Sequence, residues 1–361
     1  MNTNAWLTLV MVVLLVACAP EKPAEETVKI GGLFGLTGFV SFAGEASRDG
    51  FILAIEDSGM NVDYVIEDFQ SDFKNVVTAS TKLIDVDDVQ VIIGPEWTEF
   101  AEVIAPISTE KKIVFISPWM GGEGIASEYY FTMTPSERIQ LNRLIDYMVR
   151  KNVRRIVLVY TSNSWSFGNV KIFKEELKER NIDVVGEFSV GQDALDYKTE
   201  IVKIKELAPD AIYAPIAADD SAGVFGQQLH DLGANYQLYV PHSRGSSPIF
   251  QEKFGDVTEG TIYPESKKYK NIEVFNKKYE ARFGKKPAAI SAGTAYDATT
   301  LVLNAIKNGA KTSENIRTYL MGVQGYEGYT NAITFNQQRQ QASEEVVIKQ
   351  IKGHSSIILE E

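Results

Sequence analysis

Cysteine is nearly absent from this chain: Cys18 is the only one in 361 residues. A single thiol forms no internal disulfide, so the folded part must hold together by core burial alone. Histidine is almost as scarce, with His230, His242 and His354 far apart in sequence. Three scattered imidazoles and one cysteine argue against a zinc site. No G-x-S-x-G occurs and no histidine has a nucleophile pattern beside it, which argues against hydrolase chemistry. The apolar run Ala5 to Ala17 is shorter than the roughly 20 residues a membrane span needs. Residues 1–17 contain no Asp, Glu, Lys or Arg, so the net charge of −12 belongs to the rest of the chain. An acidic exterior argues against nucleic acid and anionic lipid surfaces as partners. It leaves the ligand open.

What the N-terminus does have is the length and small-residue end of a secretory hydrophobic segment, closing on Leu15-Val16-Ala17-Cys18. Small residues before a cysteine suit a lipoprotein signal peptidase, and the thiol is the atom that takes up lipid. The stretch resembles a lipobox, although Met1-Asn2-Thr3-Asn4 carries no Lys or Arg and only the α-amino group is positive. A buried structural thiol is the alternative, but a position so near the N-terminus leaves no fold to bury it. Residues 1–17 are therefore expected to be a lipoprotein signal peptide, with Cys18 as the lipidation site. Pro20, Glu21, Lys22, Pro23, Glu25 and Glu26 have nothing to bury, so 18–27 reads as an extended or disordered tether. The expected location is extracytoplasmic, lipid-anchored to the membrane, in a periplasm or on the outer cell surface.

From Thr27 to Glu361 the chain exceeds the roughly 250–300 residues at which single cores stop growing, so two lobes are expected. Apolar content of 44% and charged content of 23% suit a globular protein able to build both cores. Strand-like Val28–Leu33, Asn61–Asp68, Val89–Ile93 and Ile113–Ile116 alternate with helix-like Glu45–Asp57, Lys74–Asp85 and Thr98–Glu110. The rhythm then restarts with helix Ser136–Arg150 and strands Ile156–Tyr160, Asp183–Phe188, Ala211–Ala214 and Gln237–Val240. Between them lie helices Val170–Arg180, Lys198–Leu207 and Ser221–Leu232. After Gly260 the pattern turns mainly helical, with Ile272–Phe283, Ala289–Asn308 and Ser313–Met321, before two closing strands, Val346–Ile351 and Ser356–Leu359. The expected class is α/β, with two similar doubly wound parallel-sheet lobes.

Ligands of open parallel sheets bind beyond the carboxyl ends of the strands. There the sequence places Gly35, Thr37 and Gly38, then Gly94-Pro95-Glu96-Trp97-Thr98, then Ser117-Pro118-Trp119-Met120-Gly121. The later strands end at Thr161 to Gly168, at Asp219 and Asp220, and at His242-Ser243-Arg244. Trp97, Trp119 and Trp165, the tryptophans of the exported part, all fall in these segments and outside the expected helices and strands. Each either plugs the top of its own sheet or lines a cleft.

These residues resemble the extracytoplasmic solute-binding proteins of branched-chain amino-acid ABC transporters, the leucine/isoleucine/valine-binding type. The resemblance spans nearly all of 28–351. It is carried by Leu36-Thr37-Gly38 with Gly44, Ile93-Gly94-Pro95, Ile116-Ser117-Pro118, Phe167-Gly168, Asp196-Tyr197, Pro209-Asp210 and Leu232-Gly233. The most specific stretch is Phe275-Asn276-Lys277-Lys278-Tyr279 through Phe283-Gly284-Lys285-Lys286-Pro287, then Ala295-Tyr296-Asp297-Ala298. It implies a type I periplasmic-binding fold with a ligand cleft between the lobes and three crossovers, near Thr134, Tyr263 and Tyr329. The lobes would be 28–134 plus 264–328 and 135–263 plus 329–361. It further implies a binding protein rather than an enzyme, with no cofactor, a small-molecule ligand (an amino acid or related small carboxylate or amide) and ABC permease subunits as partners.

The resemblance assigns the ligand's carboxylate to Thr98, at the start of the helix after the third strand, where free N–H groups favour an anion. Thr98 also suits an N-cap, and both roles are compatible. Glu96 and Glu99 flank it and would repel a carboxylate unless they point outward. Trp119, Met120 and Gly121 occupy a second contact that keeps the backbone but lacks the family's hydroxyl side chain. Phe167 matches an aromatic that stacks. The acid that binds an amine in leucine binders falls at or near Ser243, so either Asp219 or Asp220 supplies the anion or the ligand has no α-amine. Arg244 suggests an acidic group on the ligand, or is simply solvated. Trp97, Trp119, Trp165 and Phe167 would wall the site.

An oxidoreductase is the enzyme rival, but the glycines run Gly32-x-x-Gly35-x-x-Gly38, not the G-x-G-x-x-G that brings backbone onto a pyrophosphate. Export would also part the chain from NAD. A binding protein that reports its ligand to a membrane receptor or kinase is the other alternative, and sequence does not separate it from a transporter.

Overall fold

A computed structural model describes residues 28–119, 125, 127–267, 271–342 and 345–360. The expected signal peptide, Cys18 and tether, and also Met120 and Gly121, lie outside the described residues. In chain order the strands are β1 (Lys29–Phe34), β2 (Asp63–Asp68), β3 (Val91–Ile93), β4 (Val114–Ser117), β5 (Tyr130–Pro135), β6 (Arg155–Thr161) and β7 (Asp183–Val190). They continue with β8 (Ala211–Tyr213), β9 (Gln237–Tyr239), β10 (Ile262–Ser266), β11 (Tyr326–Glu327), β12 (Ala332–Ile333), β13 (Gln340–Gln341), β14 (Val346–Lys352) and β15 (Ser355–Glu360). One sheet runs β13-β5-β4-β3-β1-β2, and its pairings are all parallel. The other runs β15-β14-β10-β9-β8-β6-β7, parallel except where β14 pairs with β10 and β15. The fold is thus α/β, two doubly wound lobes, as the alternation predicts.

Both faces of each sheet are covered, and the strands show why. Leu33, Ile92 and Phe115 point to one core with Val76, Leu83 and Ile104. Their neighbours Phe34, Ile93 and Ile116 point to the other, with Phe51, Leu301 and Val302. The second sheet repeats the device: Ile156 and Leu158 pack on Leu144 and Phe173, while Val157 and Val159 pack on Ile201 and Phe225. A strand buried on both faces must be apolar at consecutive positions, which is what made these strands legible. Helices start on side-chain caps where the chain allows it. Asp72 accepts the N–H groups of Lys74 and Asn75, Ser136 that of Arg138, and Thr312 that of Asn315.

The chain passes between sheets three times. It leaves the first after Pro135, at the end of β5, and returns after Ser266, at the end of β10. The final passage lies between Gln341 and Val346, which corrects the expected crossover near Tyr329 and moves 329–341 to the first lobe. Two contacts hold that segment there. The Asp297 carboxylate accepts the N–H groups of Tyr329 (2.8 Å) and Thr330 (2.9 Å) and the Thr330 hydroxyl (2.6 Å). β13 then pairs Gln340 and Gln341 with Thr132 and Pro135 of β5.

The helices Ser41–Ser58 and Ser291–Lys307 pack backbone against backbone. A Cβ on Gly50 would stand 1.9 Å from the carbonyl oxygen of Ala292. Alanine raises helix propensity over glycine by about 1 kcal/mol, but overpacking costs about 1–3 kcal/mol and here the obstacle is backbone. Gly50→Ala is expected to lower the unfolding free energy in urea despite its better helix propensity. An unchanged or raised midpoint would mean that the two helices separate freely.

Candidate ligand cleft

The helices Thr98–Lys111 and Ser164–Glu179 come from different lobes and touch each other. Each begins at the carboxyl end of a parallel strand, so these ends of the two sheets look across one gap.

On the first lobe the site grows from the turn after β3. Gly94 has φ +115°, and a Cβ there would stand 1.9 Å from the Leu33 carbonyl oxygen. Three residues on, Trp97 adopts φ 77°, a region costing a non-glycine residue on the order of 1–3 kcal/mol. Cross-links hold it there. The Trp97 N–H donates to the Trp119 carbonyl at 3.2 Å, and the Ser117 hydroxyl donates to the carbonyls of Pro95 (2.8 Å) and Trp119 (3.0 Å). Trp97, Thr98 and Trp119 are therefore brought together. Trp97 is the residue preceding the helix and provides no side-chain cap, unlike Asp72 or Ser136. Thr98, expected as a possible N-cap, is instead the first helical residue and is buried. The first-turn N–H groups thus end on a residue chosen for its ring rather than for capping.

Two further aromatics stand here that the sequence reading did not name. Phe39 and Phe42 come from the loop after β1 and the helix it enters. They remain 59% and 41% exposed despite their size. Phe39 meets Trp97 edge-on, ring centres 5.3 Å apart, and Phe42 meets Trp119 edge-on at 5.9 Å. The signal was available: aromatics at a strand end, the rule already applied to the tryptophans.

Glu96 lies beneath this face, fully buried. Its Oε2 accepts the Gly35 N–H at a long 3.4 Å, and its Oε1 has no partner among the described residues. Burial pushes its pKa up to about 7, with the Gly35 N–H among the groups pulling back. The expectation that Glu96 would repel a carboxylate unless it pointed outward is met in another way. It points inward, and burial makes it much more readily protonated than an ordinary carboxylate.

On the second lobe Trp165 departs from expectation. It sits in the first turn of the Ser164–Glu179 helix rather than in a loop, because Asn163 caps that helix by accepting the Ser166 N–H. It is buried, its indole N–H donating to Glu137 Oε1 at 3.1 Å. Asn169 donates to Glu137 Oε2 at 2.8 Å and accepts the Tyr213 hydroxyl. Phe167, one turn-position away, is half exposed and edge-on to Tyr160 at 6.1 Å. Asp219 and Asp220 begin the Asp219–Asp231 helix, and Ser243 and Arg244 lie in the short His242–Gly245 helix. Arg244 is buried rather than solvated. It donates to the carbonyls of Ile216 and Ala217 and forms an ion pair with Asp219, and burial brings its pKa down to about 10. Asp220 pairs with Lys253 at 2.5 Å. Among the described residues no cluster suits a metal ion, and no helix is long and apolar enough to cross a membrane.

The Glu96 geometry fixes a pH dependence. The folded pKa, about 7, lies above the ordinary 4.5. Stability from the neutral carboxyl is therefore complete below about pH 4.5 and lost as pH rises through 7, up to about 3 kcal/mol. Glu96→Gln keeps the shape and the acceptor for Gly35. It is expected to be the more stable form at pH 8 and close to the parent at pH 4.5, by urea titration at both values. Parallel pH profiles for the two proteins would show that Glu96 is ionised throughout.

A family model described as periplasmic binding protein matches residues 27–355. The leucine-, isoleucine-, valine-, threonine- and alanine-binding protein of Pseudomonas aeruginosa is 21% identical over 339 residues, 88% of each chain. LivJ of Streptococcus pneumoniae, a branched-chain amino acid transporter substrate-binding protein in complex with isoleucine, superposes with TM-score 0.78 at 22% identity, covering 93% of this chain and 100% of that one. A solute-binding protein of an R. palustris ABC transporter, in complex with benzoate, gives TM-score 0.77 at 18% identity, covering 92% and 96%.

Proposed function

The chain belongs to the periplasmic binding protein family, and from that premise we propose that it captures a small carboxylate between its lobes and delivers it to an ABC permease. A protein of this family binds a substrate and does not transform it. The observation that carries the carboxylate reading is the opening of the Thr98–Lys111 helix at Trp97, without a side-chain cap, toward the gap between the lobes. A helix N-terminus presents N–H donors and about half a positive charge, worth roughly 0.3–2 kcal/mol to an anion and more where water is excluded. Trp97 precedes that end and is hydrogen-bonded to Trp119, and Phe167 stands half exposed in the first turn of the second-lobe helix that touches the Thr98–Lys111 helix. The three passages between sheets are the segments that would absorb closure. The amino-acid and benzoate complexes of similar proteins both carry a carboxylate, which suits this helix end.

The test is calorimetric titration with isoleucine, leucine and benzoate, paired with small-angle scattering. At least one acid is expected to bind and to shrink the radius of gyration. Thr98→Val should weaken that acid by about 1–3 kcal/mol, the loss of a hydrogen bond to a charged group. Equal affinity of Thr98→Val and parent would misplace the carboxylate. Binding without compaction would remove lobe closure from the mechanism.

Anchoring is the second part of the proposal and rests on Leu15-Val16-Ala17-Cys18. Cys18 is taken to carry the lipid that keeps the protein beside its permease on the outer face of the membrane. Cys18→Ser removes the sulfur and leaves the lobes intact. The parent is expected in the detergent phase and the variant in the aqueous phase, and equal partitioning would exclude the anchor.

A further inference from the structure

From the side chains of the cleft we infer that the ligand is an aromatic monocarboxylate without an α-ammonium group. This rests on the small-carboxylate reading above and chooses within it.

The first ground is the ring array. Phe39 and Phe42 hold large exposed apolar faces edge-on to Trp97 and Trp119, at the same end of the first sheet as the uncapped helix. Edge-to-face contacts reward a further ring beyond its area burial. An aliphatic side chain gains only the area. On the second lobe Phe167 is also half exposed, in the first turn of the helix that touches the Thr98–Lys111 helix.

The second ground is what is available to a cation. An ammonium closed between two lobes needs a carboxylate partner, since an unpaired buried charge is strongly unfavourable. Asp219 is taken by the buried Arg244, Asp220 by Lys253, and Glu137 by Trp165 and Asn169. Glu96 is sealed beneath the loop. Ser243 stands where an amine-binding acid would be needed and offers only a hydroxyl. The buried atoms without hydrogen-bond partners among the described residues include Glu96 Oε1, sealed beneath the loop, and Asp219 Oδ1, which faces Arg244. They also include the Trp97 indole N–H and the Ser243 hydroxyl, and the indole can only donate. A carboxylate supplies an acceptor for the indole and a ring fills the aromatic face, whereas Asp219, Asp220 and Glu137, the acids of the second lobe named above, are already engaged.

The test uses titration calorimetry on the full chain with benzoate, phenylacetate, phenylalanine, leucine and 4-methylpentanoate, the last being leucine's skeleton without its amine. Benzoate or phenylacetate is expected to bind at least ten-fold more tightly than phenylalanine or leucine. Replacing both rings by aliphatic groups (Phe39→Leu with Phe42→Leu) should weaken the aromatic acid ten-fold or more and move 4-methylpentanoate by less than three-fold. Both positions are exposed, and an unchanged melting temperature confirms folding. Leucine or phenylalanine binding tightest overturns the inference, the more so if Glu99→Gln, at the remaining half-buried acid of the first helical turn, abolishes it. Preference for 4-methylpentanoate over benzoate overturns the aromatic part and leaves the carboxylate reading standing. Binding of none of these acids overturns both.

Discussion

The carbonyl oxygen of Leu33 stands so close to Gly94 that no side chain fits between the ends of β1 and β3. The binding face of the first lobe follows from that approach. Because the backbone turns tightly at Gly94, Glu96 is driven inward beneath the loop and Trp97 outward, at a positive φ that ordinary residues avoid. Because Trp97 then occupies the position before the helix, a ring replaces a capping hydroxyl and the helix end faces the gap. The strain at Trp97 is offset by the hydrogen bonds to Trp119 and by its edge-on contact with Phe39. Strain held in place by its surroundings at a ligand-facing loop is the usual meaning of such an outlier.

A second buried carboxylate organises the same lobe from behind. Asp297, pushed up to about 6 by burial, is held by three donors from Tyr329 and Thr330. It ties the last stretch of the first lobe to the Ser291–Lys307 helix before β13 joins the sheet edge. The final passage between lobes is thereby confined to the few residues after Gln341. All three passages begin at strand ends and not in free loops, so each lobe can move as a body while few backbone angles change.

Most of the fold was legible because strands buried on both faces, such as Val91–Ile93 and Ile156–Val159, must be continuously apolar. Of the strands that were not legible, two carry proline: β5 ends at Pro135 and β10 contains Pro264, and proline within a short run reads against a strand. β13 is two glutamines long and its pairing is visible only in three dimensions. At the site, the glycine–proline turn, the tryptophans and Thr98 could be named from their place after strands. Trp165 was misread as a loop residue because its helix starts earlier than the apolar period suggests, on the Asn163 cap. Phe39 and Phe42 stand just beyond a strand end, where the same rule points to them, but how far each is exposed depends on packing that no local pattern encodes.

The charges of the two lobes divide the labour between them. On the second lobe the candidate ions have satisfied one another: Arg244 with Asp219 and two carbonyls, Asp220 with Lys253, Glu137 with its own lobe's donors. The Ser164–Glu179 helix is capped by Asn163, so its end is partly quenched as well. On the first lobe the helix end has no side-chain cap, the buried Glu96 is readily protonated, with its pKa pushed up to about 7, and the aromatic faces are exposed. An anionic ligand therefore finds its strongest field and largest apolar contact on the first lobe alone, before closure. The second lobe then adds the Phe167 face and excludes water, which strengthens the helix-end interaction by lowering the local dielectric. Selection by the first lobe and retention by the second is the order of events this distribution of charge favours.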